Sequence, residues 1–317
     1  MLLMKNGAGN FGWGDFCRAG VAAVILTCLP VSAFSQEKGQ KTFSSAEDAS
    51  QALVKAAQDN DEKMLIEIVG KSAKEIISSG DDRQDAKHRE HFVKRYEEMH
   101  RLFKEPDGTT TLYVGVDNWP TPMPIVNKGN VWYFDGEAGK QAILFRRIGK
   151  NELSTIRVCE QLAAAEKEYF AMQHVYAAKI ASDTDQKNGL YWSGEPKSPI
   201  GPKIAAADTT INNASLTPFR GYYFRVLADQ GKDAPGGAKS YMVDGKMTDG
   251  FAIEAYPVEY RSSGVMTFVV SSDGVVHEKD LGKKTESEAK AMKSFNPDSS
   301  WRQAAEPEEA TDAQTTK

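Results

Sequence analysis

From Ser44 the chain reads SSAEDASQALVKAAQDN, with Ala49, Leu53 and Ala56/Ala57 at helical spacing behind a serine that has Glu47 three residues after it. This predicts a helix capped at Ser44. Met64, Leu65, Ile68 and Val69 predict a second short helix ended by Gly70, and Ile76-Ile77 a third apolar segment closed by Gly80. A longer helix is predicted from Asp81 to about Lys104, because Phe92, Tyr96, Met99 and Phe103 share one face. After Pro106-Asp107-Gly108 the period changes. Thr109–Val116, Met123–Val126 and Val131–Phe134 are rich in β-branched and aromatic residues and are separated by turn residues, which predicts an antiparallel meander.

Helical spacing returns from Gly139 to about Ala181, with a break expected at Gly149-Lys150-Asn151. Its apolar stripe runs through Ile156, Cys159, Ala163 and Phe170, with Leu162 and Tyr169 beside it and Glu166 in its middle. Residues 183–218 carry scattered Gly and Pro and read as a linker loop. Short strands then follow at Tyr222–Ala228, Ser240–Val243, Phe251–Val258, Met266–Ser271 and Val275–Lys279, with turns at Asp244-Gly245, Asp249-Gly250 and Asp273-Gly274. A helix over Thr285–Ser294 closes the pattern. The fold class expected is α+β: N-terminal helices with a small antiparallel sheet, a long central helix, and a C-terminal antiparallel β domain. The expected divisions are an N-terminal domain over 43–182, the linker over 183–218, a C-terminal domain over 219–301 and a disordered tail over 302–317. By analogy alone, the first domain could be layered like a cystatin or a nuclear-transport-factor-2 cone.

The beginning of the chain changes the picture. Ala19 to Phe34 is apolar but shorter than the ~20 residues a membrane-spanning helix needs. Lys5 and Arg18 precede it, and Val31-Ser32-Ala33 offers a small-residue cleavage site, so residues 1–33 read as a secretory signal peptide, with cutting after Ser35 as the second choice. The expected destination is the bacterial periplasm or the exterior. Of three cysteines only Cys159 would survive cleavage, so no internal disulfide can form and a buried thiol is expected. A net charge of −5 gives no electrostatic basis for nucleic-acid binding, and no stable membrane span is expected once the signal is removed.

The search for chemistry finds no G-x-S-x-G elbow, no phosphate-binding glycine loop, no C-x-x-C and no H-E-x-x-H. His88 and His91 lie three apart on one helix, which is a weak metal pair; the expected reading is a helix-edge histidine packing on the sheet, with no metal and no cofactor. Glu166 is either a structural link to Arg146, Arg147 or Arg157, or an acid with a raised pKa in a pocket. The segment from Trp119 to Val126 has proline at alternate positions, which makes it a rigid extended edge able to present Trp119. Trp119, Glu166, Arg146 and Arg147 are the candidate binding residues.

Several segments together carry a resemblance: FSSAEDASQALVKAAQDND, WPTPMPIVNKGNVWYFDGEAGKQAILFRRIGKNEL, GYYFRVL, SYMVDGKMTDGFAIEAYPVEY, SGVMTFVVSSDGVV and FNPDSSW. In that order they resemble the bacterial secreted family called domain of unknown function 2950, from about Phe43 to Trp301. The resemblance implies secretion and one continuous family unit, and no activity. The last strands are also similar to parts of some pilin-like proteins, although the apolar N-terminal segment is short and interrupted by Pro30. The leading expectation is a non-enzymatic module that binds an envelope protein or a small ligand. The alternatives are an enzyme or metal site using His88, His91 and Glu166, and a pilin-like assembly subunit.

Overall fold

A computed structural model describes residues 36–209 and 216–304; the expected signal peptide and residues 305–317 of the expected tail lie outside the described residues. The chain enters the fold through two polar clamps. The Gln40 amide donates to the Ile68 carbonyl (3.0 Å) and the Phe134 carbonyl (2.7 Å), while the Glu37 carboxylate accepts from the Lys71 amide (2.8 Å) and from the amide and hydroxyl of Ser72. Burial opposes ionisation of Glu37, but the contacts from Ser72 and Lys71 outweigh it and hold the carboxyl below its ordinary range.

Helix α1 (Ala46–Gln58) buries Ala49, Leu53, Ala56 and Ala57 on one face, as the spacing predicts. Its cap is Ser45, whose hydroxyl accepts from the Asp48 amide, one residue later than expected; Ser44 instead bonds the Asp48 carboxylate. Helix α2 (Glu62–Val69) starts at an Asp61 cap and stops at Gly70, and α3 (Lys74–Ile77) follows. Helix α4 (Asp82–Glu98) ends well before Lys104, because His100–Lys104 is strand β1. The spacing of Met99 and Phe103 continues the helical stripe, yet both are exposed. What stops the helix comes from outside it: the Gly115 amide donates to the carbonyls of Arg95 (3.0 Å) and Met99 (2.8 Å). Gly115 sits at φ +78, and a Cβ there would lie 2.8 Å from the Arg95 guanidinium, so a glycine is needed.

Strands β1, β2 (Thr110–Val114), β3 (Trp119–Pro120), β4 (Ile125–Lys128) and β5 (Val131–Phe134) form the expected antiparallel sheet in the order β1-β2-β4-β5, with β3 paired to β2. The helices cover one face of it, and the shared core contains Leu53, Leu65, Ile68, Ile125 and Phe134.

Helix α5 (Gly136–Gln173) runs 38 residues without the expected break. A single internal glycine costs only about 1 kcal/mol, and Gly149 is flanked by anchored turns: Ile148 is buried, Asn151 donates to the Ser263 carbonyl (2.8 Å), and Glu152 accepts from the amides of Val265 (2.8 Å) and Met266 (3.0 Å). The helix begins tightly against the first core, since a Cβ on Gly136 would meet the Val69 carbonyl at 2.6 Å. It ends at His174 in the left-handed conformation.

Beyond α5 the chain from 174 to 209 is irregular apart from α6 (Pro202–Ala205), but it is not solvent-borne: Ile180, Leu190, Trp192 and Ala207 are buried in the second core. Strands β6 (Tyr222–Leu227), β7 (Asp229–Gln230), β8 (Lys239–Ser240), β9 (Met242–Val243), β10 (Lys246–Met247), β11 (Ala252–Pro257), β12 (Met266–Ser271) and β13 (Val276–Asp280) are followed by α7 (Thr285–Ala291), β14 (Ser294–Phe295) and β15 (Arg302–Gln303). The main antiparallel sheet has the order β15-β13-β12-β11-β6. Strand β15 draws Arg302 and Gln303 out of the expected tail and onto the sheet edge. The C-terminal half of α5 packs on this sheet through Ile156, Cys159, Leu162 and Tyr169, completing the α+β architecture.

Candidate functional site

The first core is not filled. Between α1, α3, α4 and the Thr121–Met123 segment lies an apolar cavity of about 240 Å³, walled by Leu53, Leu65, Ile76, Ile77, Phe92 and Phe134. Helix α4 supplies its polar rim, because Asp85, His88, Arg89 and Phe92 recur at three- and four-residue spacing and so share one face. Asp85 is committed: its carboxylate accepts from the Ser79 hydroxyl (2.8 Å) and amide (2.9 Å), which holds it below the usual carboxylate range. Arg89 is committed too, donating to the Asn60 side chain (2.5 Å) and toward the Ile77 carbonyl (3.4 Å). His88 is exposed and, among the described residues, carries no hydrogen bond.

A second cavity of about 310 Å³ adjoins the first and shares His88, Phe92, Thr121 and Pro122 with it. Its remaining wall is His91, Arg95, Val114 and Trp119. Arg95 is ion-paired with Asp117 and donates to the Val114 carbonyl (3.3 Å). Thr121 lines both cavities, but its hydroxyl is turned out of them, shielded from solvent with no hydrogen-bond partner, and its backbone amide is fixed to the Leu112 carbonyl (2.8 Å). A third, more open groove of about 540 Å³ lies across the Pro120–Pro124 ridge and includes Glu105, Asp107, Tyr113 and Arg146.

A family model described as protein of unknown function, DUF2950, matches residues 40–304, most of the chain. The chain belongs to the DUF2950 family. No curated protein and no solved structure matches it.

In this DUF2950 protein the residues singled out from sequence separate into two groups. Trp119 and Arg146 come together: the ring is half exposed and the guanidinium lies over it, 5.4 Å from the ring centre. Arg147 is exposed on α5. Glu166 is elsewhere, fully buried in the second core, and its partner is none of the arginines expected for it. Its carboxylate accepts from the Ala177 amide (2.8 Å) and leaves its other oxygen unpartnered, and burial pushes its pKa up to about 8 against the lowering by that hydrogen bond. Asp208, which sequence reasoning missed, plays a similar part: it is fully buried and accepts from the amides of Ile180 and Ala181, both at 2.9 Å. Buried irregular backbone needs acceptors for its N–H groups, and these two carboxylates supply them along residues 177–181.

Another buried carboxylate, Glu254, pairs with Arg225 (2.5 Å), which also donates to the Met292 carbonyl (2.6 Å) and the Ala289 carbonyl at the end of α7. Burial outweighs the arginine and lifts Glu254 to about 7. Cys159 is buried as expected, and burial pushes its thiol well above the usual range, so it is an inert core residue. Among the described residues no three His, Cys, Asp or Glu side chains converge as metal ligands, and no helix is long and apolar enough to cross a membrane. Thr121 was legible only as part of the proline-rich edge; nothing local marks it as facing a cavity.

Proposed function

We propose that this DUF2950 protein is a secreted binding module of the bacterial periplasm or exterior, and that its first core takes the apolar part of a small ligand. The observation that carries the reading is the cavity among Leu53, Leu65, Ile76 and Ile77, open beside an uncommitted His88. A buried apolar wall with a few polar groups at its mouth is the usual form of a small-molecule site. Non-enzymatic binding is favoured because Asp85 and Arg89 are held by structural partners, and because Glu166, which the enzyme alternative needed beside His88 and His91, serves the backbone of the other core. Secretion rests on the N-terminal pattern, and Glu37 and Gln40 fasten the chain a few residues after the expected cut at Ala33.

The test of binding uses Nile red, a neutral apolar dye, with the purified protein. Saturable 1:1 fluorescence enhancement is expected, abolished in Ile77→Trp at unchanged near-ultraviolet circular dichroism. Absence of saturable binding, or equal binding by the filled variant, would overturn it. Fractionation of cells expressing the full chain tests the address: the processed protein is expected in the periplasm or medium, beginning between Phe34 and Gln36.

A further inference from the structure

The apolar cavity taken alone, at about 240 Å³, falls short of the ~300–1,000 Å³ typical of ligand sites. Joined to the adjoining 310 Å³ cavity through their four common wall residues, it falls within that range. The two halves differ in chemistry. The inner half is walled by aliphatic and aromatic side chains. The outer half is lined by His88, His91 and Arg95 with no carboxylate, although Asp117 answers the arginine from outside the wall. The two histidines lie three apart on α4 and are exposed, with no hydrogen-bond partner among the described residues. Pro122 has no amide to offer and the Thr121 amide is taken by the Leu112 carbonyl, so the backbone supplies no donor on that wall and the polar contacts of the outer half come from α4.

We propose that the two cavities form one channel for a linear amphiphile with an anionic head, of the fatty-acid class. The alkyl tail lies among Leu53, Leu65, Ile76 and Ile77, and the carboxylate accepts from the imidazoles of His88 and His91. Trp119 stands on the outer wall, with the Arg146 guanidinium over its ring. This rests on the binding reading above and adds the chemistry of the ligand to it. A neutral hydroxyl head would make weaker hydrogen bonds to the imidazoles than a carboxylate does, and a cationic head would face His88, His91 and Arg95.

The experiment compares laurate, decanoate, dodecanol and dodecyltrimethylammonium, each below its micelle concentration, by displacement of Nile red from the full-length protein as purified. Laurate is expected to bind at least fivefold tighter than dodecanol, with dodecyltrimethylammonium weakest. Decanoate should bind about fifteenfold weaker than laurate, since it lacks two methylenes and each buried one is worth roughly fourfold. The exposed pair His88→Ala/His91→Ala should shrink the laurate preference over dodecanol, read as the ratio of the two affinities, by threefold or more. Equal affinity for laurate and dodecanol, or a preference that survives in that variant, overturns the anionic-head inference and leaves the apolar binding reading standing. Failure of all four compounds to displace the dye overturns the inference, and failure of the dye itself to bind takes the underlying reading with it.

Discussion

The two cores of this protein are packed in opposite ways. The first takes five of its twelve buried apolar residues from alanine, Ala46, Ala49, Ala56, Ala57 and Ala73, and leaves a cavity beside Ile76 and Ile77. The second is filled by Tyr222, Phe224, Phe251, Phe268 and Phe295, each with less than 2% of its surface exposed. The polar groups do not divide the same way. In the second core Glu166, Asp208 and Glu254 accept from backbone amides and from Arg225, yet Glu166 and Glu254 each keep one shielded oxygen without a partner, as the Thr121 and Tyr133 hydroxyls do in the first half. The difference therefore lies in packing: rings fill the second core, and the first leaves the volume proposed above as a site.

The largest test of that division is Phe268→Ala. Removing a fully buried ring should cost about 3–5 kcal/mol in urea unfolding while the folded fraction keeps its dye affinity. A loss below about 1 kcal/mol, or a parallel loss of binding, would break the comparison.

A pH series sharpens it next. Glu166 and Glu254 have folded pKa values near 8 and 7 against an ordinary 4.5. Between 4.5 and those values the folded state keeps protons that the unfolded chain releases, so stability is greatest below the unfolded pKa and declines as pH rises through the folded one. The melting temperature should therefore fall from pH 5 to pH 8, and Glu166→Gln should flatten the slope. A melting temperature that rises over that window would refute the assignment. The carboxyls of Asp85 and Glu37, both lowered, act in the opposite direction and only at acid pH.

The smallest effect separates neighbouring serines. Ser45→Ala should cost about 1 kcal/mol, because the cap of α1 is lost, and Ser44→Ala distinctly less. Since α1 walls the cavity with Leu53 and Ala57, the Ser45 variant should also weaken dye binding slightly; equal costs at the two serines would place the cap at neither.

Most elements were legible because their signals are local. Strand β12 occupies the Met266–Ser271 span expected for it, α2 stops at Gly70, and Asp244-Gly245 adopts the positive φ values of a hairpin turn. Misreadings occur where a distant partner overrides a local pattern. The α4 stripe continues through Met99 and Phe103, but Gly115 caps the helix and β2 pairs the following residues. Of the candidate site, Trp119 and Arg146 were singled out by residue type, and the structure brings them together. The spacing of His88 and His91 suggested a helix edge packed on the sheet, but both are exposed beside the cavities, an outcome set by how α4 lies over the sheet. That Thr121 lines a cavity was not legible, because a threonine in a proline-rich edge looks the same whether it faces solvent or a cavity.

The amino-acid order thus determined the α+β class, the family membership, the turns and most of the element spans, since propensity, period and capping act within one or two turns of the residue that carries them. Folding in three dimensions decided that Glu166 meets the Ala177 amide rather than an arginine, and that α4 ends at Glu98. It also set two cavities side by side, with His88, Phe92, Thr121 and Pro122 common to both. Those outcomes depend on which remote segment arrives with an acceptor, a donor or an empty volume, and that is settled by packing.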